Sequence, residues 1–140
     1  MILKLYAEPE TWEYRDKFPE EWVKLGCGPG DVGDYLVPDR ILGLSVVEAC
    51  RVHDWYYRFW EVGTTEVHRA IADRVFLNNM LRIIYDNSKA FTIRRARAWI
   101  ADHVYYDSVR RRGAPAFFEE RNPDTHYRLI NYKEFVVEQS

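Results

Sequence analysis

Residues 45–62 read as one helix, and its side chains constrain the rest of the chain more than any other stretch does. Ser45 with Glu48 three residues on has the form of a capping box, and Gly63 suits the left-handed position that closes a helix. Within the run His53 and Tyr57 are four apart and share a face, with Cys50 three before His53 on a neighbouring edge. Asp54 is rotated about 100° from His53, so these adjacent side chains must face different partners. A base and a carboxylate presented to separate neighbours suggest two tasks, proton transfer and metal binding. Taken alone, the pair is more often a satisfied helix histidine beside a solvated aspartate, and the surrounding pattern has to decide.

A second helix follows. Thr64-Thr65 caps a run to about Asn87 in which Val67, Ala70, Ile71, Phe76, Leu77, Met80, Leu81 and Ile84 have helical spacing. Asp73 falls among these apolar positions, and an acid there is costly unless hydrogen-bonded or paired, so it should have a partner. A third long helix is expected from Phe91 to Arg112, with Gly113 as its C′ residue and Arg110, Arg111 and Arg112 complementing its dipole. The spacing thus predicts a mostly α fold with long helices at about 45–62, 65–87 and 91–112.

Ahead of these helices, residues 1–10 read as a short extended arm ending at Pro9, and Pro19 fits the first turn of a short helix to Leu25. Trp12, Tyr14, Phe18 and Trp22 read as packing residues rather than a membrane-facing patch. Gly26-Cys27-Gly28-Pro29-Gly30-Asp31-Val32-Gly33-Asp34 breaks regular structure and can turn carbonyls or amides inward. Tyr35 to Leu44 connects it to the first long helix. The tail, 114–140, mixes loop signals with a short helix or strand at Tyr127 to Val137.

At 140 residues and 47% hydrophobic content, one domain over 1–140 with a core of its own is expected. The net charge of −2 argues against a whole-protein nucleic-acid binder, and no nucleic-acid partner is expected. The arginines at 94, 95, 97 and 110–112 read as a solvated, dipole-compensating face. No apolar run has the length to span a bilayer, and the N-terminus lacks the form of a signal peptide, so cytoplasmic synthesis is expected. Cys27 and Cys50 suffice for one bridge at most. His68 and His103 read as surface or packing histidines, and no clustered His/Cys spacing suggests zinc.

In order and spacing, Cys50-Arg51-Val52-His53-Asp54-Trp55-Tyr56-Tyr57 resembles the active-site helix of the secreted phospholipase A2 superfamily. Gly26-Cys27-Gly28-Pro29-Gly30-Asp31 resembles its calcium loop, in the Gly-Pro-Gly form of parvovirus capsid phospholipase domains. Asp73-Arg74-Val75-Phe76, with Met80 downstream, resembles the second active-site helix of bacterial and fungal members. The resemblance covers about residues 24–85. It implies a mostly α, phospholipase A2-like fold with two antiparallel active-site helices, about 45–62 and 65–87, and the third long helix packed beside them. His53 would be the general base activating water, with Asp73 on its other ring nitrogen and Tyr57 hydrogen-bonded to Asp73. Asp54 and the carbonyls of Gly26, Gly28 and Gly30 would hold Ca2+. A Cys27–Cys50 disulfide would tie loop to helix. The implied substrate is a phospholipid at a membrane surface or micelle, and the loop form with no export signal suggests a viral or phage protein, associated with the virion.

The chemistry of the residues agrees with those roles. A histidine near neutral pKa is the side chain best placed to take a proton from water, and a buried carboxylate behind it supplies an orienting third member. Ca2+ takes hard oxygen ligands, which a loop of carbonyls and one carboxylate supplies. The alternative is a phospholipase-like scaffold without turnover, acting as a binding module; dependence on calcium separates the two.

Overall fold

The computed structural model of the chain describes residues 5–27 and 37–119, and these are mostly helical. Helices α1 (Pro9–Lys17) and α2 (Pro19–Trp22) each begin on a proline, whose fixed φ suits the first helical position. The expected arm stops at Pro9, and the helix that Pro9 opens was not foreseen. Thr11 is its only buried residue, so no apolar periodicity announces it. Residues 5–8 lack regular structure and lie against the body of the fold. The buried Asn79 amide bonds both Tyr6 N (2.7 Å) and Tyr6 O (2.8 Å), and Glu8 N donates to Tyr56 Oη at 3.0 Å.

The expected connector contains a minimal antiparallel hairpin, β1 (Arg40–Ile41) and β2 (Leu44–Ser45), with Arg40 opposite Ser45 and Ile41 opposite Leu44. Its turn residues Leu42 (φ 47°) and Gly43 (φ 83°) both lie in the left-handed region, as a tight two-residue hairpin requires. A leucine is strained there, and Arg97 holds the turn by donating to Ile41 O at 3.1 Å and Leu42 O at 2.7 Å.

Helices α3 (Val47–Phe59) and α4 (Glu66–Asn87) form the centre. They are antiparallel neighbours: Trp60 meets His68, Tyr57 meets Arg69, and His53 meets Asp73 and Phe76. The first is shorter than expected at both ends. The Ser45–Glu48 capping box does not form, since Val46 is the N-cap and Glu48 instead accepts from Arg51 and Trp22. At the other end the backbone extends at Trp60, and Gly63 is not left-handed. A Cβ at Gly63 would lie 2.5 Å from the Trp60 ring, so glycine is needed there for a close approach. Thr65 caps α4 as expected, in a capping box completed by His68: Thr65 Oγ1 accepts from His68 N and His68 Nδ1 accepts from Thr65 N, both at 3.3 Å. His68 is therefore a capping residue.

The third long helix is present as one rod with an altered middle. Helix α5 (Phe91–Ile100) passes through a π-helical turn (Ala101–Tyr106) into α6 (Asp107–Arg112). The buried residues Ala101, Tyr105 and Val109 recur every four positions. An α-helix repeats every 3.6, so each step drifts by about 40°, and a wider turn keeps the stripe on one side. Gly113 ends the rod at φ −81°, outside the left-handed region expected of it. Helix α7 (Ala114–Glu119) then folds back so that Phe117 meets the Tyr57 ring edge-on, centroids 5.1 Å apart. The element expected at 127–137 lies outside the described residues. One apolar cluster gathers Ile41, Val46, Cys50, Phe76, Met80 and Tyr105, and another gathers Trp22, Val52, Trp55, Tyr56, Tyr57 and Phe117. Both helices of the central pair contribute to each cluster.

Candidate functional site

His53 is buried, its ring stacked on Phe76 (centroids 4.5 Å apart, 27°) and tilted against Tyr57 (4.3 Å, 43°). Its Nε2 lies 2.7 Å from Asp73 Oδ1, and Tyr57 Oη donates to the same oxygen at 2.6 Å. An ionised carboxylate only accepts, so the hydrogen-bond network assigns the proton to Nε2 and the lone pair to Nδ1. Nδ1 has no hydrogen-bond partner among the described residues. The three residues expected to act together, His53, Asp73 and Tyr57, are brought together.

Two arginines complete the surroundings of Asp73. Its Oδ2 accepts from Arg110 Nη1 at 2.6 Å and from Arg69 Nη1 at 3.3 Å. Both guanidinium groups also reach Glu66, with Arg69 Nη2 and Arg110 Nη2 donating to Glu66 Oε1 at 2.7 and 2.8 Å. Arg69 further donates to the carbonyls of Val109 (2.9 Å) and Arg110 (3.1 Å). Burial pushes the Asp73 carboxyl up, but the hydrogen bonds and charge of His53, with Tyr57 and Arg110, outweigh it and hold the group below the usual carboxylate range. Glu66 follows the same pattern, burial opposed and overcome by Arg69 and Arg110. Arg69 was legible in principle, lying three after Glu66 and four before Asp73 on one helix. Arg110 was not, because 37 residues separate it from Asp73.

The other arginines are mostly tied down as well. Arg94 donates to Ser88 O, Arg97 to the hairpin turn, and Arg111 to Asp107, while Arg95 sits over the Phe91 ring. Of the face expected to be solvated, Arg94, Arg97 and Arg110 are half-buried tethers, whereas Arg95, Arg111 and Arg112 are exposed.

Asp54 faces away from His53, toward the start of the glycine loop. Its Oδ2 accepts from Gly26 N at 3.3 Å and its Oδ1 from Arg58 Nε at 3.0 Å. Cys27 and Cys50 are disulfide-bonded, with Cα atoms 5.0 Å apart, which fixes the loop's first residues to α3. Arg51 Nε adds a bond to Leu25 O at 3.2 Å. Of the four expected metal ligands, Asp54 and Gly26 are adjacent, but the contact is through Gly26 N–H and not the carbonyl expected to meet a cation; Gly28 and Gly30 lie outside the described residues. Among the described residues no three His, Cys, Asp or Glu side chains cluster as a metal-binding group. A half-buried carboxylate beside the opening of a glycine loop fits a hard dication in donor type, although Arg58 already holds one of its oxygens. The chain matches no family model, and comparison with curated proteins and with solved structures gives no match.

Proposed function

We propose that this protein hydrolyses the acyl ester of a phospholipid, in the manner of a Ca2+-dependent phospholipase A2. The observation that carries the reading is the His53 ring, with Nε2 held by Asp73 at 2.7 Å and Nδ1 free of any partner among the described residues. In this reading Nδ1 takes a proton from water while the water oxygen bonds to the ester carbonyl carbon. The bond to the alcohol oxygen then breaks, and that oxygen receives the proton from the imidazolium, giving a fatty acid and a lysophospholipid. Asp73 keeps the tautomer and stabilises the imidazolium, and Tyr57 fixes the carboxylate. Asp54 with the carbonyls of Gly26, Gly28 and Gly30 would hold Ca2+, which when bound supplies positive charge for the ester carbonyl and the oxyanion.

The test is fatty-acid release from mixed micelles, with Ca2+ or with chelator, for wild type and His53→Ala. Release should need Ca2+ and fall by a factor on the order of 10²–10⁴ in the variant, the usual contribution of general base catalysis. A second reading, a phospholipase-like scaffold without turnover, is favoured by the Arg58–Asp54 pair, which places a cation on the carboxylate the metal would need. Wild type that neither binds Ca2+ at millimolar concentration nor releases fatty acid would sink the enzymatic reading.

A further inference from the structure

The acceptors at the opening of the glycine loop are met by N–H donors. Asp54 Oδ2 accepts from Gly26 N at 3.3 Å, and Asp54 Oδ1 accepts from Arg58 Nε at 3.0 Å. The backbone just ahead of the loop is treated alike, with Arg51 donating to Leu25 O at 3.2 Å and Val23 O at 3.4 Å. Both arginines belong to α3, three before Asp54 and four after it, so they share its face of the helix. A Ca2+ site needs the reverse arrangement, oxygen acceptors converging with their lone pairs free. Two guanidinium groups thus stand where the calcium reading calls for one dication.

The two arginines are held unequally. Arg51 also pairs with Glu48, and its side chain is 20% exposed while it reaches the two carbonyls. It fastens the approach to the loop. Arg58 is 31% exposed and meets Asp54 as an i,i+4 pair on the helix surface. Such a pair is weak, because solvent screens it and two long side chains lose freedom to hold it. A dication carries twice the charge toward the same carboxylate, and a guanidinium left beside it would repel it. The pair can therefore compete with Ca2+ without excluding it. A displaced Arg58 has another carboxylate nearby. Burial and then Glu21 push the Tyr14 hydroxyl up, Arg58 opposes them and Asp54 adds, so all three charged side chains act on one phenol.

We propose that Arg58 sets the metal affinity of this site: its guanidinium is a built-in competitor on Asp54, and Ca2+ binds by displacing it. The inference rests on the calcium reading of Asp54, and it makes Arg58 the residue that weakens that site.

Calorimetric titration of the full chain with CaCl2 tests it, on wild type, Arg58→Gln, Arg58→Lys and Arg95→Gln. Arg58→Gln should tighten Ca2+ binding about tenfold, through lost competition and lost repulsion together. Arg58→Lys keeps the charge and should bind as wild type does. Arg95→Gln removes the same charge from α5 and should change nothing, which separates the local contact from net charge. Arg58→Gln/Asp54→Asn should lose the gained affinity, which locates it at Asp54. Thermal melting without Ca2+ checks that each variant folds, and added Ca2+ should raise the midpoint more for Arg58→Gln than for wild type. Equal Ca2+ affinity in wild type and Arg58→Gln would overturn the proposal and leave the calcium reading standing. Saturable binding by neither protein at millimolar Ca2+ would overturn both. Binding by Arg58→Gln alone would uphold the proposal and overturn calcium-dependent activity in the wild-type chain. Weaker binding by Arg58→Gln, or a gain that survives Asp54→Asn, would overturn it.

Discussion

Arg110 Nη1 donates to Asp73 Oδ2 at 2.6 Å, on the oxygen opposite the one that His53 and Tyr57 share. The carboxylate behind the histidine is therefore held from both ends, by the central helix pair on one oxygen and chiefly by the end of the third rod on the other. Glu66 makes this affordable in charge, since two carboxylates face two guanidinium groups in the cluster. The π-helical turn has a role here. It keeps Tyr105 and Val109 on the core side of the rod, and Arg110 follows Val109 directly at the edge of that stripe.

Asp73→Asn should destabilise the fold by about 3 kcal/mol, because removing one member of a buried ionic cluster leaves the other charges uncompensated. Arg110→Gln should cost less, about 2 kcal/mol, the usual worth of a hydrogen bond to a charged group, since Arg69 still bonds Asp73 and Arg110 is partly exposed. Urea unfolding of both variants measures the order. Equal or reversed costs would mean that Arg110, not Asp73, is the centre of the cluster.

Acid should loosen the protein through the same groups. Asp73 and Glu66 are both held below their ordinary values, 3.8 and 4.5. A depressed carboxyl binds fewer protons folded than unfolded, so its stabilisation is complete above the unfolded value and is lost as pH falls through the folded one. The urea midpoint should be insensitive to these groups above pH 4.5 and should fall progressively below it. In Asp73→Asn/Glu66→Gln the decline should be shallower, and an unchanged decline would assign acid sensitivity to other residues.

The Cys27–Cys50 bond closes a loop with a sequence separation of 23. Restricting a loop of that length in the unfolded chain contributes about 3 kcal/mol in the chain-entropy model. Reduction, or Cys27→Ala/Cys50→Ala, should lower stability by roughly that amount and should weaken any Ca2+ binding, since Gly26 is anchored beside Asp54 by this bridge. Calorimetric titration with Ca2+ before and after reduction checks the second part.

The sequence carried the centre of this structure and little of its periphery. His53, Tyr57 and Asp73 were legible because helical spacing fixes which residues share a face, and because an acid on an apolar stripe demands a partner. The helix ends were less so. Ser45 and Glu48 have the form of a cap, yet Arg51 and Trp22 compete for Glu48, and the pairing that won is set by tertiary packing. Helix α1 escaped because it buries almost nothing of its own, and the hairpin because its turn puts a leucine where glycine or asparagine is the usual signal. Gly63 and Gly113 both carry the sequence signal of a left-handed helix closer. Both instead make room for an aromatic side chain, a requirement that depends on residues brought near by folding.

Gly113 offers the most specific test of that last point. A Cβ there would lie 2.6 Å from Tyr57 Oη and 2.5 Å from Val109 O, so alanine forces the tyrosine ring, the helix end, or both to shift. Overpacking of this kind costs about 1–3 kcal/mol. The direct consequence for the site is that Tyr57 Oη leaves Asp73 Oδ1, where it now donates at 2.6 Å. Tyr57→Phe removes the same hydrogen bond without the clash, at a cost of about 1–3 kcal/mol for a bond to a charged group. Because Gly113→Ala already sacrifices that bond, Gly113→Ala/Tyr57→Phe should cost less than the sum of the single variants, by on the order of 1 kcal/mol. Urea unfolding of the four proteins in the cycle measures the coupling. In the hydrolytic reading, all three variants should also retain more activity than His53→Ala, because Tyr57 only steadies the carboxylate while His53 takes the proton. Strict additivity would show that Gly113 is required by the turn of the backbone alone and that the close approach of Tyr57 is incidental.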